Sequence, residues 1–377
     1  MASYIGGNKP LVTVALMLLA AITMMGDMLV EVESRELSAG SYSEEAMKAR
    51  HHMWMAEHGR TYNDEAEKAH RFQVFKANAA FVDRSNAAGG KKYHLAINKF
   101  ADMTNDEFLA MYTGFKSVPA GAKKMPGFKY ENFTLLEDQQ AVDWRQKGAV
   151  TDVKNQGQCG NYLLSCKYAC TCLLFVYMLP HSYRKLKFEG CCWAFSAVAA
   201  VEGIHQISTS ELVSLSEQQV LDCSTNGNNG CSGGLMDNAF QYIISNGGLT
   251  TEDAYPYTSA QGMCQSVQPT VTISSYQDVP SNDEDALAAA VTNQPVSVAV
   301  DAHNFQFYTG GVMTGDSCGT DLNHAVTAIG YDTAEDGTPY WLLKNQWGQN
   351  WGEGGYMRLE RGTGACGVAK RASYPVA

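Results

Sequence analysis

Cysteine is confined to one part of this chain. All 11 cysteines lie at or after Cys159, and none precedes it. Disulfides form and persist in oxidising compartments, so the chain should fold as a covalently stapled part preceded by a part that needs no staples. The N-terminus fits the same route. Lys9, an apolar run over residues 11–25 and then Gly26-Asp27 read as a secretory signal over residues 1–26. That run contains Thr13 and Thr23 and is short for a hydrocarbon core of about 30 Å, so no membrane association is expected after its removal. The chain has 377 residues, 45% hydrophobic and 18% charged, with 35 glycines and a formal charge of −11. That is enough for one or two packed domains, and it suits a loop-rich secreted protein better than a helical bundle. No basic run of the kind that binds nucleic acid is present, which sets that class aside.

Residues 41–115 are cysteine-free and helical in pattern. Over residues 42–58, Met47, His51, Trp54 and Met55 fall on one side. Over residues 64–86, Phe72, Phe75, Ala79 and Val82 recur at helical spacing. Residues 116–140 form a polar linker that carries the glycosylation sequon Asn132-Phe133-Thr134. Helices are expected over 194–204 and 235–245. Two more should open at boxed starts, Ser214 with Glu217 and Ser281 with Glu284. From Pro295 the pattern changes to strands, over 296–300, 325–329, 340–344, 355–359 and 372–376. A helical half followed by a strand half predicts an α+β chain of two subdomains with a cleft between them.

Chemistry concentrates at Cys191-Cys192-Trp193. A thiol in the first turn of a helix meets backbone N–H groups and the positive dipole end, both of which favour a thiolate. The alternative is an inert buried cysteine beside a core tryptophan. Downstream, His324 lies in Asn323-His324-Ala325-Val326 and Asn345 in Lys344-Asn345-Gln346-Trp347, 132 (324 − 192) and 153 (345 − 192) residues beyond Cys192.

This order and spacing resemble the papain-like cysteine proteases. Glu67, Arg71, Phe75, Asn78, Val82 and Asn86 resemble the long-helix propeptide motif of cathepsin L-like members, with Val82 where isoleucine is usual. Ala96, Asn98, Phe100 and Asp102 resemble its second motif, with Ala96 in place of glycine. Residues 141–145 look like the start of mature plant members, and the doubled cysteine resembles the senescence-associated type. The resemblance implies a papain-like α+β fold with a helical subdomain carrying Cys192 and a β-barrel-like subdomain carrying His324 and Asn345. It makes residues 41–115 an inhibitory propeptide, 116–140 a linker and processing region, and 141–377 the peptidase domain.

The same resemblance implies the roles. Cys192 is the nucleophile, His324 its proton partner and Asn345 the group that orients the imidazole, while Gln156 and the Cys192 N–H form the oxyanion hole. Gly233 and Gly234 present backbone to an extended peptide. Leu235, Met236, Ala299 and Leu322 line the main specificity pocket, which gives an apolar preference two residues before the cut. Trp347 covers the Asn345–His324 contact and Trp351 lies beyond it. The implied disulfides are Cys159 with Cys231, Cys223 with Cys264 and Cys318 with Cys366. A secreted, vacuolar (lysosome-like) or extracellular endopeptidase is expected. It would be made as a zymogen and monomeric, would act on proteins and peptides, and would be inhibited by its own propeptide and by cystatin-like proteins. No cofactor or metal is expected.

One stretch departs from the family. Residues 161–190 separate Gln156 from Cys192, whereas deleting them restores Gly160-Cys191-Cys192-Trp193. The cysteines within, Cys166, Cys170 and Cys172, are odd in number. With His181 they supply only one arm of a zinc site. The stretch reads as translated intron or a gene-model error. If it is translated it favours a second reading, a catalytically impaired papain-like protein that acts by binding only.

Overall fold

The structure, a computed structural model, describes residues 42–116, 127–133, 141–159 and 190–377. The signal, most of the linker, and Cys166, Cys170, Cys172 and His181 of the 161–190 stretch lie outside the described residues. The chain divides into two compact units. One is built from the described residues up to Gly89 with Ala101–Met103, the other from Gly90–Phe100 and Thr104–Ala377.

The first unit is a helical pair. Helix α1 is Glu44–Glu57, capped by Ser43, and α2 is Glu65–Ala87, capped by Asp64. The apolar stripes meet: Met47, Trp54, Phe72, Phe75, Ala79 and Val82 are buried, and His51 lies among the rings of Trp54, Tyr62, Phe72 and Phe75. The segment Ala101–Met103 is tied down by side chains of α2 and its approach. Asn78 Nδ2 donates to Ala101 O at 2.9 Å and to Met103 O at 2.8 Å, and Arg71 donates to Asp102 O at 3.0 Å. The Asp102 carboxylate accepts the Tyr62 hydroxyl at 3.0 Å.

The second unit begins with β1 (Tyr93–Leu95) and α3 (Asn105–Tyr112), the latter closed by a Thr104–Glu107 capping box. After β2 (Val142–Asp143) come α4 (Cys192–Thr209), α5 (Glu217–Cys223), α6 (Met236–Ser245), β3 (Ser275–Asp278) and α7 (Glu284–Asn293). Strands β4 (Val296–Val300), β5 (Tyr308–Met313), β6 (His324–Thr333), β7 (Pro339–Lys344), β8 (Tyr356–Glu360) and β9 (Ala372–Val376) complete it. The sheet runs β1-β5-β8-β7-β6-β4-β9-β3, with β2 pairing to β6. Every pairing is antiparallel except β5 with β8.

Two expected helix starts shift. The cap of α5 is Ser216, whose hydroxyl accepts Gln219 N at 2.9 Å, rather than Ser214. The cap of α7 is Asp283, which accepts Ala286 N at 2.8 Å, rather than Ser281. In each case a second side chain with an acceptor oxygen stands two residues closer to the apolar run, and the nearer one wins. The linker also holds a surprise. Among its described residues, Phe128 and Tyr130 pack on Tyr374, and the Tyr130 hydroxyl donates to Gln294.

Helix α4 is the axis of the second unit's core. Trp193, Ala194, Ala197, Val198 and Val201 are buried and pack with Leu215, Val220, Met236, Phe240, Ala299 and Ala325. Disulfides join Cys159 to Cys231, Cys223 to Cys264 and Cys318 to Cys366.

Candidate active site

The geometry at Cys192 follows from how α4 is pinned to the sheet. One turn into the helix, Ser196 Oγ donates to Val326 O at 2.7 Å, and Ser297 Oγ of β4 donates back to Ser196 O at 2.9 Å. Both bonds are buried, where a satisfied pair is well defined and a broken one is costly. They seat the first residue of α4 against the first residues of β6, and Ala325 N donates to Cys192 Sγ at 3.3 Å.

His324 opens β6, and Asn345 follows the last residue of β7. The β6–β7 register pairs Thr327 with Lys344, which brings the two side chains to the same end of the hairpin. Asn345 Oδ1 accepts Gln346 N at 2.9 Å and lies 2.9 Å from His324 Nε2. An oxygen already acting as acceptor assigns the imidazole proton to Nε2 and leaves a lone pair on Nδ1. That Nδ1 is buried with no hydrogen-bond partner. Trp347 stacks on the imidazole at 4.6 Å, and Trp351 meets Trp347 edge-on at 4.8 Å. Sequence reading gave Gln346 no task. Its Nε2 donates to Ala325 O at 2.8 Å and lies 3.4 Å from His324 Nε2, so it braces the strand beside the histidine.

Gln156 reaches the same place from the other side of the chain. It is fully buried; its N–H donates to Gln346 O at 2.8 Å, and its Nε2 donates to Tyr112 O at 3.2 Å. Trp347 Nε1 donates to that same Tyr112 carbonyl at 2.9 Å. Gly190, where the described chain resumes, is packed here too. A Cβ on it would stand 2.3 Å from Thr113 O and 2.6 Å from Gln156 Nε2, so only glycine fits.

Residues 112–116 therefore occupy the site. Gly114 N and Phe115 N donate to Asn323 O, both at 3.0 Å. On the opposite side, Gly234 N donates to Gly114 O at 3.0 Å and Lys116 N to Gly234 O at 3.1 Å, a strand-like bridge between Phe115 and Gly234. Gly233 holds φ +91, and a Cβ on Gly234 would strike Trp193 at 2.7 Å. Phe115 faces a cavity that it shares with Leu235, Met236, Asp237, Asp278, Arg371 and Ala372. Ala299 is buried in the neighbouring core, and Leu322 packs partly buried at its margin. None of the contacts of residues 112–116 was foreseen.

This occupied state is electrostatically silent. Burial pushes the Cys192 thiol well above its usual range, outweighing the Ala325 N–H. Burial also lowers His324 to about 4, against the smaller opposing effect of Asn345. Burial therefore disfavours the charged form of each group in this occupied state. Cys191 and Cys192 are the free cysteines among the described residues. Also among the described residues, no cluster of ligating side chains suits a metal ion, and no helix is long and apolar enough to cross a membrane.

Comparison with known proteins adds the family. Residues 183–376 match the papain family cysteine protease domain, and residues 51–108 match the cathepsin propeptide inhibitor domain. The chain is 52% identical over 352 residues to the senescence-specific cysteine protease SAG39 of Oryza sativa subsp. japonica, covering 91% of this chain and 93% of that one. It is 48% identical over 343 residues to the senescence-specific cysteine protease SAG12 of Arabidopsis thaliana, covering 87% and 90%. Among solved structures it is similar to the proform of the ragweed pollen cysteine protease Amb a 11, with TM-score 0.75 and 38% identity over 90% of this chain and 99% of that one. A recombinant stem bromelain precursor gives TM-score 0.72 and 41% identity, covering 88% and 98%.

Proposed function

This chain belongs to the papain family of cysteine proteases and carries the family's inhibitory propeptide, and from that premise we propose a Cys192–His324–Asn345 endopeptidase that stays closed until residues 112–116 leave its cleft. The observation that carries the reading is the His324 ring. It is held at Nε2 by Asn345, roofed by Trp347, and left with an unpartnered Nδ1 beside the strand whose Ala325 N–H donates to Cys192 Sγ.

Once the cleft opens to water, the desolvation that keeps both groups neutral is relieved. The Cys192 proton passes to His324 Nδ1, and the pair becomes thiolate and imidazolium. The thiolate attacks the scissile carbonyl carbon and forms a C–S bond. The carbonyl oxygen takes up the negative charge between Gln156 Nε2 and the Cys192 N–H. Collapse expels the amine, which takes the imidazolium proton, and leaves a thioester. Water, deprotonated by His324, attacks the thioester and releases the acid and the thiol. Asn345 keeps the ring in one orientation throughout, the role of the third group in such triads.

Phe115 argues for the specificity. Phe115 lines a cavity together with Leu235 and Met236, so in this reading a substrate with Phe or Leu two residues before the cut would bind against the same apolar wall once residues 112–116 leave. Arg371 lines that cavity, but so do Asp237 and Asp278, whose charges oppose an acidic substrate side chain. Ala299 and Leu322 complete the apolar surround in this reading, and Gly233 and Gly234 supply the edge for an extended peptide. Residues 1–26 would be a secretory signal and residues 116–140 the processing region. The mature enzyme would act as a monomer in a vacuole-like or extracellular compartment, open to cystatin-like inhibitors. Of residues 161–190, Gly190 is the one described, and it packs against Thr113 O and Gln156 Nε2. After their deletion Gly160 would take the place of Gly190.

The test is acid maturation. The purified chain, with and without residues 161–190, is held at pH 4–5 with a thiol reductant, then assayed on gelatin and on a peptide library. A shortened band, gelatinolysis lost in Cys192→Ser, and Phe or Leu favoured over Glu two residues before the cut are expected. A clear gelatin zone from Cys192→Ser, or a blank one from both wild-type forms, contradicts the reading.

A further inference from the structure

The second thiol of the pair, Cys191, is not used by the chemistry above. It is buried, unpaired with any other cysteine, and stands at the N-cap of α4. An N-cap side chain ordinarily bonds the first-turn amides, but this one makes no cap bond. Its Sγ lies 3.0 Å from the Tyr257 hydroxyl. That hydroxyl donates to Gln156 O at 2.7 Å. A phenol has one proton, and here it goes to the Gln156 carbonyl, so the Cys191 S–H is the donor into the phenol oxygen. Burial raises the Cys191 thiol to about 12, which keeps that proton on sulfur.

The tyrosine in the middle is itself fixed. Its ring meets Phe195 edge-on at 4.9 Å, and its backbone N–H donates to Glu252 Oε1 at 2.8 Å. Gln156 is thus gripped at both of its main-chain polar groups. The N–H is held by Gln346 O of the sheet side, and the C=O by the Tyr257–Cys191 line of the helical side. Neither grip touches the side chain, whose Nε2 is left free to reach Tyr112 O.

We propose that Cys191 is a positioning residue for peptide cleavage, acting through Tyr257 to hold the Gln156 backbone so that the Gln156 amide meets the oxyanion. The inference rests on the reading of Gln156 as an oxyanion donor. A donor displaced by a fraction of an ångström loses more in the transition state than in the ground state, so the defect falls on kcat and not on KM. Serine in place of Cys191 keeps a donor to Tyr257, whereas alanine does not.

The experiment measures kcat and KM of acid-matured enzyme on a fluorogenic peptide with Phe two residues before the cut. It compares wild type with Cys191→Ala, Cys191→Ser, Tyr257→Phe, the Cys191→Ala/Tyr257→Phe double variant and Gln156→Ala. Cys191→Ala and Tyr257→Phe should each lose ~10-fold in kcat with KM within twofold, the double variant should lose no more than either, and Cys191→Ser should stay near wild type. Wild-type kcat in Cys191→Ala, alongside a loss of ~10²-fold in Gln156→Ala, overturns this inference alone. No loss in Gln156→Ala overturns the oxyanion reading instead. Should Cys191→Ala fail to mature, hydrogen exchange in the unprocessed Cys192→Ser chain decides. Faster exchange over residues 155–158 with Cys191→Ala, but not with Cys191→Ser, supports the line, and equal exchange refutes it.

Discussion

His324 is completely buried, stacked under Trp347, and held near a pKa of about 4 by its lack of water. An unfolded histidine titrates near 6.5, so between those values the unfolded chain binds more protons than the folded one. Stability is then full above about pH 6.5 and falls as the pH drops towards 4, by about 3 kcal/mol from this group. His51, buried among aromatic rings and likewise lowered to about 4 by burial, acts in the same direction. Urea denaturation of the Cys192→Ser chain at stepped pH should therefore show its midpoint falling through that window, and a flat or rising profile would contradict it. Asn345 gives a second prediction at this scale. Asn345→Ala frees the His324 ring to turn, so kcat should fall ~10²-fold with KM within threefold. A kcat unchanged by this substitution would remove Asn345 from the mechanism. The order Cys192, His324, Asn345 was legible because each residue sits in a short local motif. Tyr257, Ser196 and Gln346 were not, because their roles are hydrogen bonds across 101, 130 and 21 residues of sequence that leave no local pattern.

Among the elements, α2 shows how a polar residue can hold a helical unit together. Asn78 is buried with both of its amide hydrogens given to backbone carbonyls. Asn78→Ala removes two buried hydrogen bonds at a cost of roughly 2 kcal/mol, so the chain should mature faster in acid. Maturation half-times followed on gels test this, and an unchanged half-time would show that the helical unit does not limit opening. In the second unit, Lys154 Nζ is shared by Glu202 at 3.0 Å and Glu217 at 2.7 Å, both carboxylates almost fully buried. Burial, helped by the Glu202 and Glu252 charges, raises Glu217 against the opposing pull of Lys154. Lys154→Met removes the ammonium that Glu202 and Glu217 share and should cost about 3–5 kcal/mol in denaturant titration, with a loss below 1 kcal/mol contradicting it. The long elements could be read from sequence, since the stripes of α1 and α2 and the apolar runs of β4, β6 and β9 are strong. Strand β5 was missed because Gly310 and Gly311 interrupt its pattern. Gly311 sits at φ +85 with Lys92 O 2.3 Å from where a Cβ would be, a constraint set by β1 and invisible in the run itself. Strand β3 was missed because its residues Ser275–Asp278 are mostly polar and only partly buried.

For the molecule as a whole, the proposed reading makes catalysis and silence two states of one cleft. The Gln156 amide that would serve a substrate carbonyl is occupied by Tyr112 O, to which Trp347 Nε1 also donates, and the same Gly234 edge is occupied by residues 114–116. In the proposed reading acid would act on the closed state through the buried imidazoles of His51 and His324, and thiol chemistry would follow once water reaches Cys192. The most direct measurement is the reactivity of Cys192 towards iodoacetamide in the intact chain, read by mass spectrometry at pH 7 before acidification and again at pH 7 after maturation at pH 4–5. Cys192 should be nearly inert in the intact chain and label rapidly once residues 112–116 are gone, with peptide hydrolysis lost in proportion to labelling. Equal labelling in both forms, or hydrolysis that survives complete labelling of Cys192, would contradict the account.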